Sequence, residues 1–236
     1  MQFFFDYFII FFIYSVLGWI AETIFVSAKF NQLLNRGFLI GPYCPIYGVG
    51  SVGMILYLEQ YKDNFITVFI LGVVICSILE YFTSYIMEVL FKTRWWDYSD
   101  KKFNLNGRVC GENSILFGIG GVFVLYIIHP ILTYCLDKIN NALLFGFSVG
   151  LFLIFLIDLI LSLNIINRLK NTIINIEPKF GEDSTQEISK LVKKTIHEKH
   201  KFFQERLFAA FPDINLKKLI NLKTDITQEL KELLKK

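Results

Sequence analysis

Charge is scarce in this sequence. Only 19% of the 236 residues are Asp, Glu, Lys or Arg, against about a quarter in soluble domains. Three long stretches, 37–58, 113–136 and 139–157, contain none at all. Cysteine is rare too, and the four residues Cys44, Cys76, Cys110 and Cys135 form no C-x-x-C pair. That argues against a disulfide framework and against a thiolate metal site, so free thiols are expected. Only three histidines and five prolines occur. What fills the chain instead is apolar: 54% of residues are hydrophobic and 25 are Phe. Such a composition excludes a soluble globule, a small secreted module and a disordered chain.

The charge that does exist is unevenly spread. Residues 1–164 hold 9 Lys/Arg and 11 Asp/Glu, whereas residues 165–236 hold 15 and 10. The organisation read from this is all-α: a polytopic transmembrane helical bundle over 1–164, a linker over 165–183, and a basic helical hairpin or coiled coil over 184–236. A helix needs about 20 apolar residues to cross ~30 Å of hydrocarbon. Five spans are expected, near 3–21, 46–58, 65–90, 113–128 and 142–164. The stretch Gly41-Pro42-Tyr43-Cys44-Pro45 before the second cannot be regular helix, because proline removes a donor and forces its predecessor toward extended backbone. It reads as an interfacial cap or shallow re-entrant turn, since irregular backbone at membrane depth must be satisfied by protein or water.

Cationic residues set the expected orientation. Loops 27–45 and 91–112 carry Lys29, Arg36, Lys92, Arg94, Lys101, Lys102 and Arg108, whereas 59–64 and 129–141 carry only Lys62 and Lys138. Lys and Arg concentrate on the cytoplasmic side, which puts the N-terminus outside and the tail in the cytoplasm. Met1-Gln2-Phe3 is not a basic n-region, so no cleaved signal peptide is expected. A tandem two-helix repeat is one reading of two further similarities. Ile46-Tyr47-Gly48-Val49-Gly50 resembles Leu116-Phe117-Gly118-Ile119-Gly120, 70 positions on, and Ala21-Glu22-Thr23-Ile24-Phe25 resembles Met87-Glu88-Val89-Leu90-Phe91, 66 positions on. Chance likeness between apolar segments is the other.

Acidic residues inside apolar helices need a reason, because a charge at the bilayer centre costs about 2.5–3.5 kcal/mol or more. Glu80 falls about 15 residues into the third span, roughly 22 Å along a helix rising 1.5 Å per residue. Asp158 is similarly deep in the last. Glu22, Glu88 and Glu112 sit near inner helix ends. Ser77, Glu80, Ser84 and Glu88 step by three or four and share one helix face. Either these groups line a polar cavity open to the cytoplasm, or they are structural pairs, with Arg36, Arg94 and Arg108 at the depth of Glu22, Glu88 and Glu112. The loop Arg94-Trp95-Trp96-Asp97-Tyr98-Ser99 and the following Asn104-Leu105-Asn106-Gly107-Arg108 combine interfacial aromatics with turn residues, predicting a folded cap. The candidate binding residues are therefore Glu22, Glu80, Ser84, Glu88, Arg94, Asn106, Arg108, Glu112 and Asp158. Their acidic excess favours cationic or proton-coupled substrates.

These motifs resemble a known family. Gly18-Trp19-x-x-Glu22, Arg36-Gly37-Phe38-Leu39-x-Gly41-Pro42-Tyr43-Cys44-Pro45-Ile46-Tyr47-Gly48, Leu79-Glu80-Tyr81-x-Thr83-Ser84, Met87-Glu88 and the two loop motifs are similar to the ABC-transporter permease family of CmpB type (type IV). The resemblance covers residues 14–130, with weaker likeness at His129-Pro130 and at Arg206-Leu207-x-x-Ala210-Phe211-Pro212. Gly111 departs from it, where a larger apolar residue is expected. The resemblance implies a multi-pass protein of the bacterial plasma membrane that acts as a permease or transporter subunit. No G-x-x-x-x-G-K-[ST] phosphate loop occurs, so any ATP drive would come from a separate ATPase subunit.

In the tail, Ser184-Thr185-Gln186-Glu187 is a capping box, and Leu216, Leu219, Ile226, Leu230 and Leu233 recur at coiled-coil-like spacing. His197 and His200 read as surface residues, since a zinc site needs further ligands. No cofactor and no metal are expected. The expected partners are the lipid bilayer, an ATPase subunit and further copies of the chain, with no nucleic acid. Two alternatives to a permease stand beside it. One is a membrane-embedded enzyme acting at the inner interface, for which no His or Cys arrangement offers a nucleophile. The other is a structural or regulatory protein recruiting partners through its tail.

Overall fold

The computed structural model describes residues 2–31, 37–91 and 94–176. The tail, with its capping box, apolar repeat and histidine pair, lies outside the described residues. So does Arg36. All regular structure described is helical: α1 (Gln2–Phe30), α2 (Pro45–Leu58), α3 (Phe65–Phe91), α4 (Gly111–Phe123), α5 (His129–Leu136) and α6 (Asn141–Ile176). Four segments are long and apolar enough to cross a membrane: Phe4–Ala28, Phe65–Phe91, Gly111–Leu136 and Asn141–Arg168. The remaining expected span, the second, is α2, and its 14 residues reach only about 21 Å. It is a short helix, cut off on one side by the irregular 37–44 segment and on the other by a single 3-10 turn at Glu59–Tyr61. Helix α6 continues past residue 164 into the expected linker and ends at Ile176.

Local chemistry sets the helix starts. Cys44 is extended and Pro45 takes the first turn of α2, where its missing N–H leaves nothing unsatisfied. Asn64 caps α3, its Oδ1 accepting the Thr67 N–H at 3.0 Å. Asn140 caps α6 in the same way through the Ala142 N–H at 2.8 Å. Between α4 and α5 the backbone widens to a π-helical turn at Val124–Ile128. Pro130 follows directly. It offers no N–H to the Tyr126 carbonyl, and its ring would crowd that carbonyl in a regular α-helix, so the extra residue in the turn relieves both.

Two compact units divide the described residues, one comprising positions up to 83 with 98–161, the other 84–97 with those from 162 onward. The core of the first contains Tyr14, Met54, Ile55, Leu58, Val68, Cys76 and Leu125. Glycines let its helices approach closely. A Cβ at Gly48 would overlap the Phe11 carbonyl oxygen and the Ser15 hydroxyl, and one at Gly118 would run into Phe69 and Val73. Phenylalanines join α1 to α6: the rings of Phe4, Phe5 and Phe8 all lie edge-on to Phe152, with centroids 5.8, 6.2 and 5.1 Å away. On α3 the residues Ile70, Val74, Ile78 and Phe82, four apart, form an exposed apolar stripe. A stripe of that kind suits contact with lipid. Cys76 and Glu80 point the other way and are buried.

Candidate functional site

The irregular segment before α2 is anchored by one carboxylate. Asp158, on α6, accepts hydrogen bonds from the Ile40 N–H at 2.9 Å, the Gly41 N–H at 2.7 Å and the Tyr43 hydroxyl. The Cys44 N–H donates to the Ser15 carbonyl at 2.8 Å. Peptide groups that no helix can satisfy thus find partners within the protein. Burial, then the Asp158 carboxylate, holds the Tyr43 phenol well above its usual range.

A second carboxylate, Glu80, is only 4% exposed and is treated differently. Its Oε1 accepts a long hydrogen bond from the Tyr98 hydroxyl at 3.3 Å, and Asn113 lies beside the same carboxyl. Its Oε2 is buried with no hydrogen-bond partner among the described residues. One turn away along α3, Ser77 donates to the Ser114 hydroxyl at 2.8 Å. Glu22, on α1, accepts from the Tyr47 hydroxyl and is close enough to Glu80 for the two carboxyls to repel. Tyr98 lies within electrostatic reach of both carboxyls, and Tyr47 of Tyr98. Burial first, then the carboxylates, pushes the Tyr98 phenol far above its usual range. Two acidic and two phenolic side chains from α1, α2, α3 and the 98–110 loop therefore meet as one polar cluster.

The 98–110 loop that delivers Tyr98 is tightly bonded. The Tyr98 N–H donates to the Gly107 carbonyl at 2.8 Å and the Leu105 N–H to the Val109 carbonyl at 2.9 Å. The Asn104 amide donates to the Ser99 and Lys101 carbonyls, and its oxygen accepts the Gly107 N–H at 3.1 Å. Asn106 and Gly107 take φ of 54° and 65° in succession, a left-handed pair that few other residues tolerate. The 98–110 part of the expected cap is thus a folded loop.

The other candidate residues distribute as follows. Asn106 donates to the Tyr81 hydroxyl at 3.0 Å, and the buried Arg108 guanidinium lies 5.6 Å from the centre of the same ring. Glu112 pairs with Lys101 at 2.8 Å rather than with Arg108. That hydrogen bond and charge hold the exposed Lys101 ammonium above its usual range. In the second unit, buried Arg94 reaches Glu88 at 3.4 Å, the pairing expected, and also Asp97 at 3.3 Å. Ser84 is buried. Glu80 and Asp158, both read from the sequence as deep candidate residues, have different partners. Tyr43, Tyr47, Tyr98 and Asn113 were not among the candidates, although Tyr43, Tyr47 and Tyr98 lie inside motifs read from the sequence. Their signal was a hydroxyl on an otherwise apolar or turn-forming segment, and that is weak without the fold. Among the described residues no three His, Cys, Asp or Glu side chains come together as a metal site would require.

No curated protein and no solved structure matches this sequence. A family model matches residues 9–163, which take in every candidate residue, two of the four apolar helices whole and most of the first and last. Helices and family together make the molecule a membrane protein of transporter type, and the chain belongs to the family described as "Putative ABC-transporter type IV".

Proposed function

We propose that this chain is the membrane subunit of an ABC-type transport system and that its solute path passes the Glu22–Tyr47–Tyr98–Glu80 cluster. The burial of Glu80 with one oxygen unpartnered carries the reading. Ionisable residues inside a membrane segment are retained for pairing or for function, and Asp158 exemplifies the first while Glu80 lacks what pairing would supply. In this reading the cluster opens to the cytoplasm past Asn106 and Arg108. With α2 and the extended segment before it counted as a fifth crossing, the excess of cationic residues in the loops on that side supports an external N-terminus and a cytoplasmic tail. A separate ATPase subunit supplies the drive.

Proteoliposomes containing the full chain and the ATPase that co-purifies with it, loaded with cell extract, test the proposal. Mass spectrometry of the contents before and after ATP addition should show ATP-dependent loss or gain of a solute. Glu80→Gln should abolish that flux with membrane insertion intact, and wild-type flux through the Gln variant would contradict the assignment. Orientation has its own check. The exposed Cys135 should react with an impermeant maleimide applied outside intact cells.

A further inference from the structure

We infer that the Glu80 cluster binds a small monovalent cation, an alkali ion or ammonium, between the Glu80 carboxylate and the Tyr98 hydroxyl oxygen, beside Asn113. This rests on the transporter reading above and names the class of ion that its site would take. Buried acceptors in native proteins almost always have a partner, and an orphan commonly marks an ion or water site. A buried charge without one is more costly still. Glu80 Oε2 is such an orphan, on a side chain 96% buried by its 4% exposure. Its sister oxygen receives a long 3.3 Å bond from Tyr98, and the Asn113 amide lies against the same carboxyl. Elsewhere cations compensate carboxylates directly: Lys62 at Glu59, Arg94 at Glu88 and Asp97, Lys101 at Glu112. Glu80 has no such ion pair among the described residues, and the charged group nearest in effect is Glu22, of the same sign.

The chemistry of the surroundings selects the cation. The polar neighbours of the carboxyl are the Tyr98 phenol and the Asn113 amide, with the Ser77–Ser114 hydroxyl pair one turn along and the Cys76 thiol within electrostatic reach. A single thiol among oxygen donors does not make the soft ligand set that transition metals prefer. A divalent ion such as Ca²⁺ takes six to eight oxygens, with several carboxylates among them, and no trio of acidic, His or Cys ligands is gathered among the described residues. A monovalent cation balances the buried Glu80 carboxylate, while Glu22 accepts the Tyr47 hydroxyl.

The test uses the full chain in nanodiscs, with thermal unfolding followed in choline chloride and then in NaCl, KCl or NH₄Cl at constant ionic strength. At least one of the three should raise the melting temperature saturably, by ~5–10 °C at roughly a hundredfold excess over Kd. The response should vanish in Glu80→Gln and weaken in Tyr98→Phe and Glu22→Gln. Should the Gln variant not fold, the wild-type salt series and Tyr98→Phe still decide. Identical melting in all four salts, or an unchanged response in a folded Gln variant, overturns the inference. So does a response to pH alone, which would make a proton the missing partner. Sodium or potassium against ammonium distinguishes a metal ion from an amine-type ligand. Cation binding by a chain that moves no solute would refute transport and leave this inference standing, and transport without cation-dependent stabilisation would do the reverse.

Discussion

Removing the anchor of the 37–44 segment should loosen it in a measurable way. Asp158 receives two peptide N–H groups and one phenol, and a hydrogen bond to a charged acceptor contributes about 1.5–3 kcal/mol. Tyr43→Phe deletes one donor and leaves the two peptide bonds, so it should cost about 2 kcal/mol. Asp158→Asn keeps one acceptor oxygen but turns an NH₂ toward a peptide N–H. A lost bond plus that unsatisfied buried donor puts its cost near 3 kcal/mol. In the double variant the phenol bond is already gone, so the two costs should fall short of additivity by about 1–2 kcal/mol. Thermal unfolding should show losses of roughly 4–8 °C for Tyr43→Phe and 6–12 °C for Asp158→Asn. Maleimide labelling of Cys44 as the sole cysteine supplies a local readout, because Cys44 ends the anchored segment and is half-buried. Its labelling should accelerate in both variants. Asp158→Asn melting within a degree of the wild type, or strictly additive losses, would refute the reasoning.

Three further outcomes follow from the geometry. Gly48→Ala should destabilise by about 1–3 kcal/mol, because its Cβ meets main-chain oxygen of α1, whereas Gly146→Ala meets nothing within 4 Å and should be neutral or stabilise by up to ~1 kcal/mol; unfolding of the two variants side by side checks this. The Tyr43 and Tyr98 phenols are held above their unfolded value of about 10. Their stabilising contribution is therefore complete below about pH 10 and lost as pH rises through the folded-state values; melting should be flat up to about pH 10 and fall above it, less steeply in Tyr43→Phe. Arg94→Ala removes the buried cation shared by Glu88 and Asp97 and should cost about 3 kcal/mol, with Arg94→Lys recovering under half, since one ammonium cannot reproduce the guanidinium fork.

Much of the fold was legible in the sequence because lipid imposes a simple rule: long apolar stretches must be helices. Four such stretches are helices of spanning length, and the break at Pro45 that the sequence marks does open α2. The second expected span proved the shortest, because composition alone does not reveal helix length. Residues 37–58 lack charge throughout, yet Pro42 and Pro45 break the first part and only 14 residues remain helical. The burial cost of a carboxylate singled out Glu80 and Asp158, but cost does not say what offsets it. Asp158 found peptide N–H groups of residues more than a hundred positions away, and no periodicity encodes that. Similarly, Glu112 met Lys101 and not Arg108, because the left-handed pair Asn106–Gly107 turns the loop back before the helix begins. Tyr47 and Tyr98 joined the carboxyl cluster by the same kind of tertiary placement.

The central claim is that, of two deeply buried carboxylates, Asp158 is kept for the fold and Glu80 for function. Melting of Glu80→Gln and Asp158→Asn, side by side in choline buffer where no small cation is supplied, tests it most directly. Neutralising an unpartnered buried charge relieves its desolvation, and functional sites commonly trade away stability that such a substitution restores. Glu80→Gln should therefore melt at or above the wild type while Asp158→Asn melts well below it. A Glu80→Gln variant as unstable as Asp158→Asn would make Glu80 a second structural anchor and contradict the account.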